Sequence, residues 1–209
     1  MGKIETATQW MIDLANDDSH GYDQDSRWGP DYDCSSSVIS AWQYAGVPVK
    51  TKGASSTYDM KNVFLSCGFT NVISSVNVST GAGLKRGDVL HRSGHTAMYI
   101  GNNKQVAAHL NEKGTTKGGK TGDQTGKEIS VSAYSNSSSN PWTAVLRYTA
   151  EAETTPTQPT TKAGEWIQGS NGKWWYRHTD GTCTKSDWEL IDGSWYSLGR
   201  VGHPYRAGR

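Results

Sequence analysis

Residues 32–42 read Tyr-Asp-Cys-Ser-Ser-Ser-Val-Ile-Ser-Ala-Trp, a short polar run that passes into an apolar pattern. Asp33 is a favoured helix N-cap residue, and Val38 and Trp42 recur at the spacing of one buried helical face. With Asp33 as the cap, Cys34 lies in the first turn, where unpaired backbone N–H groups and the helix dipole favour the thiolate over the thiol. The stretch therefore predicts a helix that begins with a nucleophilic cysteine.

The alternative for Cys34 is structural, because a free cysteine in an apolar helix face is usually a small buried hydrophobe. Of the three cysteines in the chain, Cys67 lies in an apolar segment that ends at a glycine and is expected to be inert, and Cys183 follows a distant turn. None belongs to a CxxC motif or lies at zinc-finger spacing from a histidine. We therefore expect no disulfide framework, no metal site and no cofactor.

The composition narrows the classes of partner. The net charge of +1 gives no reason to expect nucleic acid or an anionic membrane, and no apolar run is long enough to span a bilayer. The aromatic residues are nine Trp and ten Tyr against two Phe. Because Trp and Tyr have polar edges, this balance favours surfaces that contact polar ligands such as sugars.

A Thr- and Pro-rich linker at residues 150–163 divides the chain into a domain at 1–149 and a tail at 164–209. Periodicity in the domain predicts helices over 4–15, from 34 to about 45, and over 56–67, and strands over 88–91, 96–100, 105–110 and 144–148. The pair Asn102-Asn103 predicts a hairpin turn. Helices followed by an antiparallel sheet predict an α+β domain.

His95 and His109 lie on the two arms of this predicted hairpin, where the period of two lets both side chains face the same side. Beside a cysteine at a helix start, they would supply a base and a group that orients the base. The alternative for either histidine is a structural polar residue at a sheet edge. Asn111 is a second candidate for the orienting group.

Three blocks of the chain, residues 29–36, 85–90 and 94–100, resemble the NlpC/P60 superfamily. Within it they are most similar to the branch of phage-type peptidoglycan amidohydrolases, and the resemblance covers residues 3–149. It implies a papain-like fold in which Cys34 is the nucleophile, His95 the base and His109 the orienting group. It also implies substrate contacts near the cysteine, with Tyr32 steadying the substrate or the oxyanion; the candidate binding residues are Tyr32, Asp33, Ser35, Ser36 and Asn111.

The implied activity is that of an endolysin, which cuts an amide bond in the stem peptide of bacterial peptidoglycan. The default bond of the superfamily joins γ-D-glutamate to the diamino acid, and the alternative is the amide between muramic acid and L-alanine. A non-catalytic wall-binding module is the alternative of another class. Residues 1–6 lack the apolar core of a secretory signal, so we expect synthesis in the bacterial cytoplasm and action at the wall after phage-type lysis or non-classical export.

The tail repeats tryptophan beside turn residues at a period of about twenty. It resembles the cell-wall-binding repeats of lysins and choline-binding proteins, in which aromatic cages hold a quaternary ammonium group. This resemblance implies choline or a wall polysaccharide as a partner. The candidate binding residues are Trp166, Trp174, Trp175, Tyr176, Trp188, Trp195 and Tyr196. The alternative is that these aromatics fill the cores of small β-hairpins.

Overall fold

A computed structural model of the chain describes residues 2–150, 164–168, 174–179, 181–182, 187–191, 194–198 and 204–206. The chain forms two compact units, Met1–Glu153 and Thr154–Arg209. Among these described segments, no helix has both the length and the apolar character needed to cross a membrane. The predicted linker lies almost entirely outside the described residues.

The first unit places helices on an antiparallel sheet, which confirms the predicted α+β class. Its helices are α1 (Lys3–Ala15), α2 (Cys34–Tyr44) and α3 (Met60–Ser66), and its strands are β1 (Phe69–Asn71), β2 (Val89–Arg92), β3 (His95–Gly101), β4 (Lys104–Ala108), β5 (Ile129–Ala133) and β6 (Ala144–Tyr148). The strand order in the sheet is β1-β6-β2-β3-β4-β5.

Two strands and one helix boundary differ from the sequence prediction. The short strand β1 and the serine-containing strand β5 lie at the two edges of the sheet and were not predicted. The third helix begins at Met60 rather than Ser56, because the carboxylate of Asp59 accepts hydrogen bonds from the backbone N–H groups of Ser55 and Ser56 and closes a turn there.

Helix α2 is fixed to one face of the sheet by fully buried apolar side chains. Val38, Ile39 and Trp42 have no solvent exposure and share a core with residues of α1 and the sheet. The ring of Trp42 packs edge-on against Phe69, with 4.7 Å between the ring centroids. Burial of such side chains stabilises a fold by about 1.5–3 kcal/mol each, so this packing holds α2 in place.

The hairpin between β3 and β4 turns at the predicted residues. Asn102 and Asn103 have φ angles of 50° and 55°, as a two-residue type I′ turn requires. The strands pair antiparallel with Met98 opposite Val106. Continued toward the open end of the hairpin, this register brings His95 opposite His109.

The described part of the second unit contains antiparallel β-strands. Strand β7 (Gly164–Gln168) pairs with β8 (Trp174–His178), and β9 (Asp187–Ile191), β10 (Ser194–Leu198) and β11 (Pro204–Arg206) form a three-stranded antiparallel sheet. Trp166 packs against the buried Tyr176 with 5.2 Å between the ring centroids, which favours the structural alternative for these two residues. The side chains of the predicted binding residues Trp174, Trp175, Trp188, Trp195 and Tyr196 lie outside the described part.

Candidate active site

Asp33 forms the N-cap of α2, as its position in the sequence predicts. Its Oδ1 accepts hydrogen bonds from the backbone N–H groups of Ser35 at 2.9 Å and Ser36 at 2.7 Å. In return, the backbone N–H of Asp33 donates to Ser36 Oγ at 2.9 Å, which completes a capping box. The box fixes Cys34 as the first residue of the helix.

Arg27 neutralises the capping carboxylate. Its Nε lies 2.6 Å from Asp33 Oδ2, and its Nη2 donates to Asp33 Oδ1 at 3.0 Å and to Ser35 Oγ at 2.6 Å. Asp33, Ser35 and Ser36 were predicted to bind substrate, but their polar groups are buried and committed to the helix terminus and to Arg27. These contacts position Cys34; Asp33 and Ser35 also line the cleft, so the prediction that they contact substrate stays a prediction.

Cys34 lies in the wall of an open cleft, with 6% of its surface exposed. The cleft has a volume of about 260 Å³ and is also lined by residues of four loops and turns, among them Arg27, Ser56 and Thr57. The backbone N–H groups of Ser35 and of Thr96, on β3, lie close enough to the sulfur to lower the pKa of its thiol. The nucleophile candidate therefore lies next to the strand that begins with His95.

The electrostatic environment of Cys34 differs from the sequence expectation. Burial, followed by the negative charge of Asp33, raises the pKa of the thiol to about 11, although the two backbone N–H groups and Arg27 act in the opposite direction. The N–H of Ser35 at the helix terminus does favour the thiolate, as the sequence predicts, but burial and the charge of Asp33 outweigh it. At neutral pH, Cys34 is a thiol.

His95 and His109 face each other across the hairpin, with 6.1 Å between their ring centroids. On its other side, His95 stacks on Trp142 at 5.8 Å. Burial, then the proximity of His109 and of Arg92, lowers the pKa of His95 to about 4, and burial also lowers the pKa of His109. Both imidazoles are therefore neutral at pH 7.

Within residues 2–150, no hydrogen bond joins Cys34 Sγ to the imidazole of His95. His95 lies on the same face of β3 as Ala97 and Tyr99, whereas Met98 and Ile100 pack in the core that contains α2. The contact of the sulfur with this strand is made through the N–H of Thr96, the residue after His95. The structure thus places Cys34 beside the backbone of β3, but it does not bring the sulfur and the imidazole of His95 into hydrogen-bonding contact, and His95 is not among the described residues that line the cleft.

Asn111 does not contact His95. Its amide nitrogen donates to the carbonyl of Lys117 at 3.1 Å, and its oxygen accepts from the backbone N–H groups of Lys113 and Thr115. Both ends of this buried amide hold the loop after β4 together, and no hydrogen bond within residues 2–150 joins Asn111 to His95, so the roles predicted for Asn111 stay predictions. His109 is the other candidate for the orienting group.

Tyr32 also lies away from the cleft. Its ring packs edge-on against Trp10, with 5.5 Å between centroids, and lines a separate cavity with residues of α1 and His20. The tyrosine near the cysteine is Tyr22, whose pKa is raised to about 12 by burial and by the proximity of Cys34. Tyr22 is thus a second candidate hydroxyl, while the role predicted for Tyr32 stays a prediction.

Two buried carboxylates hold Tyr22 there. Glu128 Oε2 accepts the backbone N–H of Tyr22 at 3.0 Å, and Asp31 Oδ1 accepts the N–H groups of Gly21 and Gly122, each at 2.9 Å. These contacts join the loop before α2 to the loop before β5. Sequence reasoning missed Tyr22 because its partner Glu128 lies 106 residues away in the chain.

The described residues offer no cluster of metal ligands at the candidate site. In the part of the chain that the structure describes, no group of three or more His, Cys, Asp or Glu side chains is arranged to hold a metal ion. The chemistry available here is that of a thiol, two imidazoles and backbone N–H groups, which suits nucleophilic attack on a carbonyl.

A family model described as an endolysin-like domain matches residues 29–106 and 105–163. These ranges include α2, the β3–β4 hairpin, Asp31 and Glu128, and they cover more than half of the 209 residues. Among curated proteins, none matches the chain. The chain therefore belongs to the endolysin-like domain family, which indicates a phage-type lytic enzyme of the cell wall with peptidoglycan as its substrate.

Proposed function

We propose that the protein is a peptidoglycan hydrolase of the NlpC/P60 type, which cuts an amide bond of the stem peptide with Cys34 as the nucleophile. The observation that carries this proposal is the position of the cysteine. Cys34 is the first residue of α2, it lines an open cleft, and its sulfur lies beside the strand that begins with His95.

The proposed reaction starts from a neutral Cys34 thiol and a neutral His95 imidazole. Neutral His95 removes the proton of the Cys34 thiol as the sulfur attacks the substrate carbonyl, since the raised pKa of Cys34 and the lowered pKa of His95 disfavour a preformed ion pair. The imidazolium then gives this proton to the leaving amine, and a thioester remains. Water, deprotonated by the same imidazole, hydrolyses the thioester and regenerates the thiol.

The neighbours of the two reacting groups have supporting roles in this proposal. The backbone N–H groups of Ser35 and Thr96 stabilise negative charge on the sulfur as the thiol loses its proton. His109 stays neutral, because burial lowers its pKa, and so it can orient His95 without competing for the proton. The hydroxyl of Tyr22, whose pKa is raised in part by the proximity of Cys34, is proposed to donate to the reacting carbonyl.

The bond between γ-D-glutamate and the diamino acid is the proposed target. The first experiment compares Cys34→Ala with Cys67→Ala, because Cys67 is the other free cysteine of the described residues and is partly exposed. We expect Cys34→Ala to abolish the turbidity loss of purified cell walls, while Cys67→Ala lyses them like the unchanged protein. Undiminished lysis by Cys34→Ala would reject the thiol mechanism.

Mass spectrometry of fragments released from defined muropeptides then identifies the bond. A new amino terminus on the diamino acid supports the proposed endopeptidase. A new amino terminus on L-alanine would show the alternative, an N-acetylmuramoyl-L-alanine amidase.

A non-catalytic wall-binding module is the second candidate. The raised pKa of Cys34 favours it, as does the lack of a hydrogen bond between Cys34 and His95 within residues 2–150. Wall binding by the unchanged protein without release of any fragment would support this candidate. The tail, by its resemblance, is proposed to add affinity for choline or a wall polysaccharide.

A further inference from the structure

The loop before α3, residues 55–59, is held rigidly by its own carboxylate. Asp59 Oδ1 accepts the backbone N–H groups of Ser55 at 2.7 Å and Ser56 at 3.0 Å, and Asp59 Oδ2 accepts the hydroxyl of Ser55. Met60, the next residue, is fully buried in the core. The loop therefore has little freedom to rearrange.

The same loop is attached to the sheet beside the cleft. His91 Nε2, on β2, donates to the carbonyl of Thr57 at 2.8 Å, and the backbone N–H of Gly94 donates to Thr57 Oγ1 at 3.3 Å. Ser56 and Thr57 line the cleft that contains Cys34. The loop thus forms a fixed rim of the candidate active site.

Tyr58, directly after these cleft-lining residues, projects into solvent with 95% of its surface exposed. Within residues 2–150, its ring packs against no other aromatic ring and no cation, and its hydroxyl makes no hydrogen bond. Trp28 offers a contrast, since the Lys50 ammonium lies 4.0 Å from the centroid of its ring. The side chain of Tyr58 therefore does not pack in the core, although hydrogen bonds with Asp59, His91 and Gly94 hold the loop that carries it.

We propose that Tyr58 binds a sugar ring of the glycan strand while the cleft holds the stem peptide. The inference rests on the proposed function. The cleft of about 260 Å³ has room for only a short peptide segment, so the rest of a large polymer must lie on its rim. A tyrosine offers an apolar face for the C–H face of a pyranose and a hydroxyl for its polar edge. Its two rotatable side-chain bonds make the ordering cost small.

The test measures binding, so that it does not depend on which bond is cut. Full-length Cys34→Ala protein is titrated with a disaccharide tetrapeptide and with the same tetrapeptide without sugar. Adding Tyr58→Ala should weaken binding of the disaccharide tetrapeptide about three- to tenfold, the loss expected for one aromatic contact. Binding of the sugar-free tetrapeptide should not change. Tyr58→Phe, which keeps the ring, should retain most of the affinity.

Tyr44→Ala is the matched control, because Tyr44 is a second exposed tyrosine at the opposite end of α2 from Cys34. It should leave both affinities unchanged. If Tyr58→Ala weakened the binding of both ligands equally, Tyr58 would contact the peptide and the inference would be overturned. The inference would also be overturned if Tyr58→Ala did not weaken binding of the disaccharide tetrapeptide, or if this ligand did not bind at all. The proposed function is tested separately, because undiminished wall lysis by Cys34→Ala would reject it whatever Tyr58 binds.

Discussion

Asp33 has two opposing effects on Cys34. As the N-cap and partner of Arg27 it holds the cysteine in position, but its charge raises the pKa of the thiol. The residue thus lowers the fraction of thiolate while fixing its place. A substitution that keeps the capping oxygen and removes the charge separates these two effects.

We therefore predict that Asp33→Asn lowers the pKa of Cys34, because the negative charge is lost and the positive charge of Arg27 is no longer compensated. The rate of iodoacetamide alkylation against pH measures this shift. The free energy of unfolding should fall by about 2 kcal/mol, the usual loss for a hydrogen bond to a charged group. Asp13→Asn, on the exposed face of α1, should change neither quantity. An unchanged alkylation profile for Asp33→Asn would contradict the assigned cause.

His95 sets the acid limit of the proposed reaction, because it must be neutral to accept the thiol proton. Because the pKa of His95 is lowered to about 4, we predict that kcat/KM falls only as the pH approaches 4. A histidine with the ordinary pKa would make it fall near pH 6.5. If kcat/KM instead fell to half its maximum near pH 6.5, the lowered pKa of His95 would be contradicted.

Arg92→Gln tests one cause of that shift. The cation of Arg92 disfavours a second positive charge on His95, so its removal should raise the pKa of His95 and move the acid limit to higher pH. The change should remain partial, since burial is the larger cause and persists. The pH profile of kcat/KM for the two proteins gives the measurement.

The β3–β4 hairpin spaces the two histidines, and its turn depends on left-handed backbone at Asn102 and Asn103. We predict that Asn103→Val lowers the free energy of unfolding by about 1–2 kcal/mol, because a β-branched residue is strained at positive φ. Asn103→Gly, which adopts this conformation without strain, should be close to neutral. Thermal unfolding measures both, and equal stability of the two variants would show that the turn can relax.

Glu128 joins two loops that are distant in the chain, and one of them carries Tyr22. Its side chain is fully buried and accepts the backbone N–H groups of Tyr22 and Gln124, each at 3.0 Å. We predict that Glu128→Ala leaves both donors unpaired and speeds amide hydrogen exchange across residues 20–24. The control is Glu112→Ala, which removes a less buried carboxylate that accepts the N–H of Lys120. Unchanged exchange in Glu128→Ala would contradict the joining role.

The features predicted from sequence are those with local causes. The start of α2 follows from the capping pattern around Asp33, and the meeting of His95 and His109 follows from a two-residue turn and a period of two. Tyr22 and the pKa of Cys34 could not be predicted, because a contact across 106 residues and a burial set by the whole core determine them. The hydroxyl contacts of Ser35 with Arg27 and of Ser36 with Asp33 are local in sequence, but they depend on the loop conformation before α2, which periodicity does not predict.

The two compact units of the molecule predict separable roles. All three clusters of buried apolar residues found in the described residues lie in the first unit. We predict that residues 1–153 alone keep the thermal unfolding midpoint of the first unit and cleave soluble muropeptides at the rate of the full chain. Binding to intact walls should weaken if the tail has its proposed role. Co-sedimentation with purified walls measures this, and equal binding by both proteins would remove that role.

The protonated state of Cys34 also bears on how long the enzyme survives. Peroxide oxidises thiolates far faster than thiols, and the first product is a sulfenic acid. With a thiol pKa of about 11, only a minute fraction of the sulfur is open to this attack at neutral pH. Under the proposed mechanism, the unliganded protein should therefore resist peroxide without a reductant, and Cys34 should become open to oxidation only when a bound wall fragment draws the proton away.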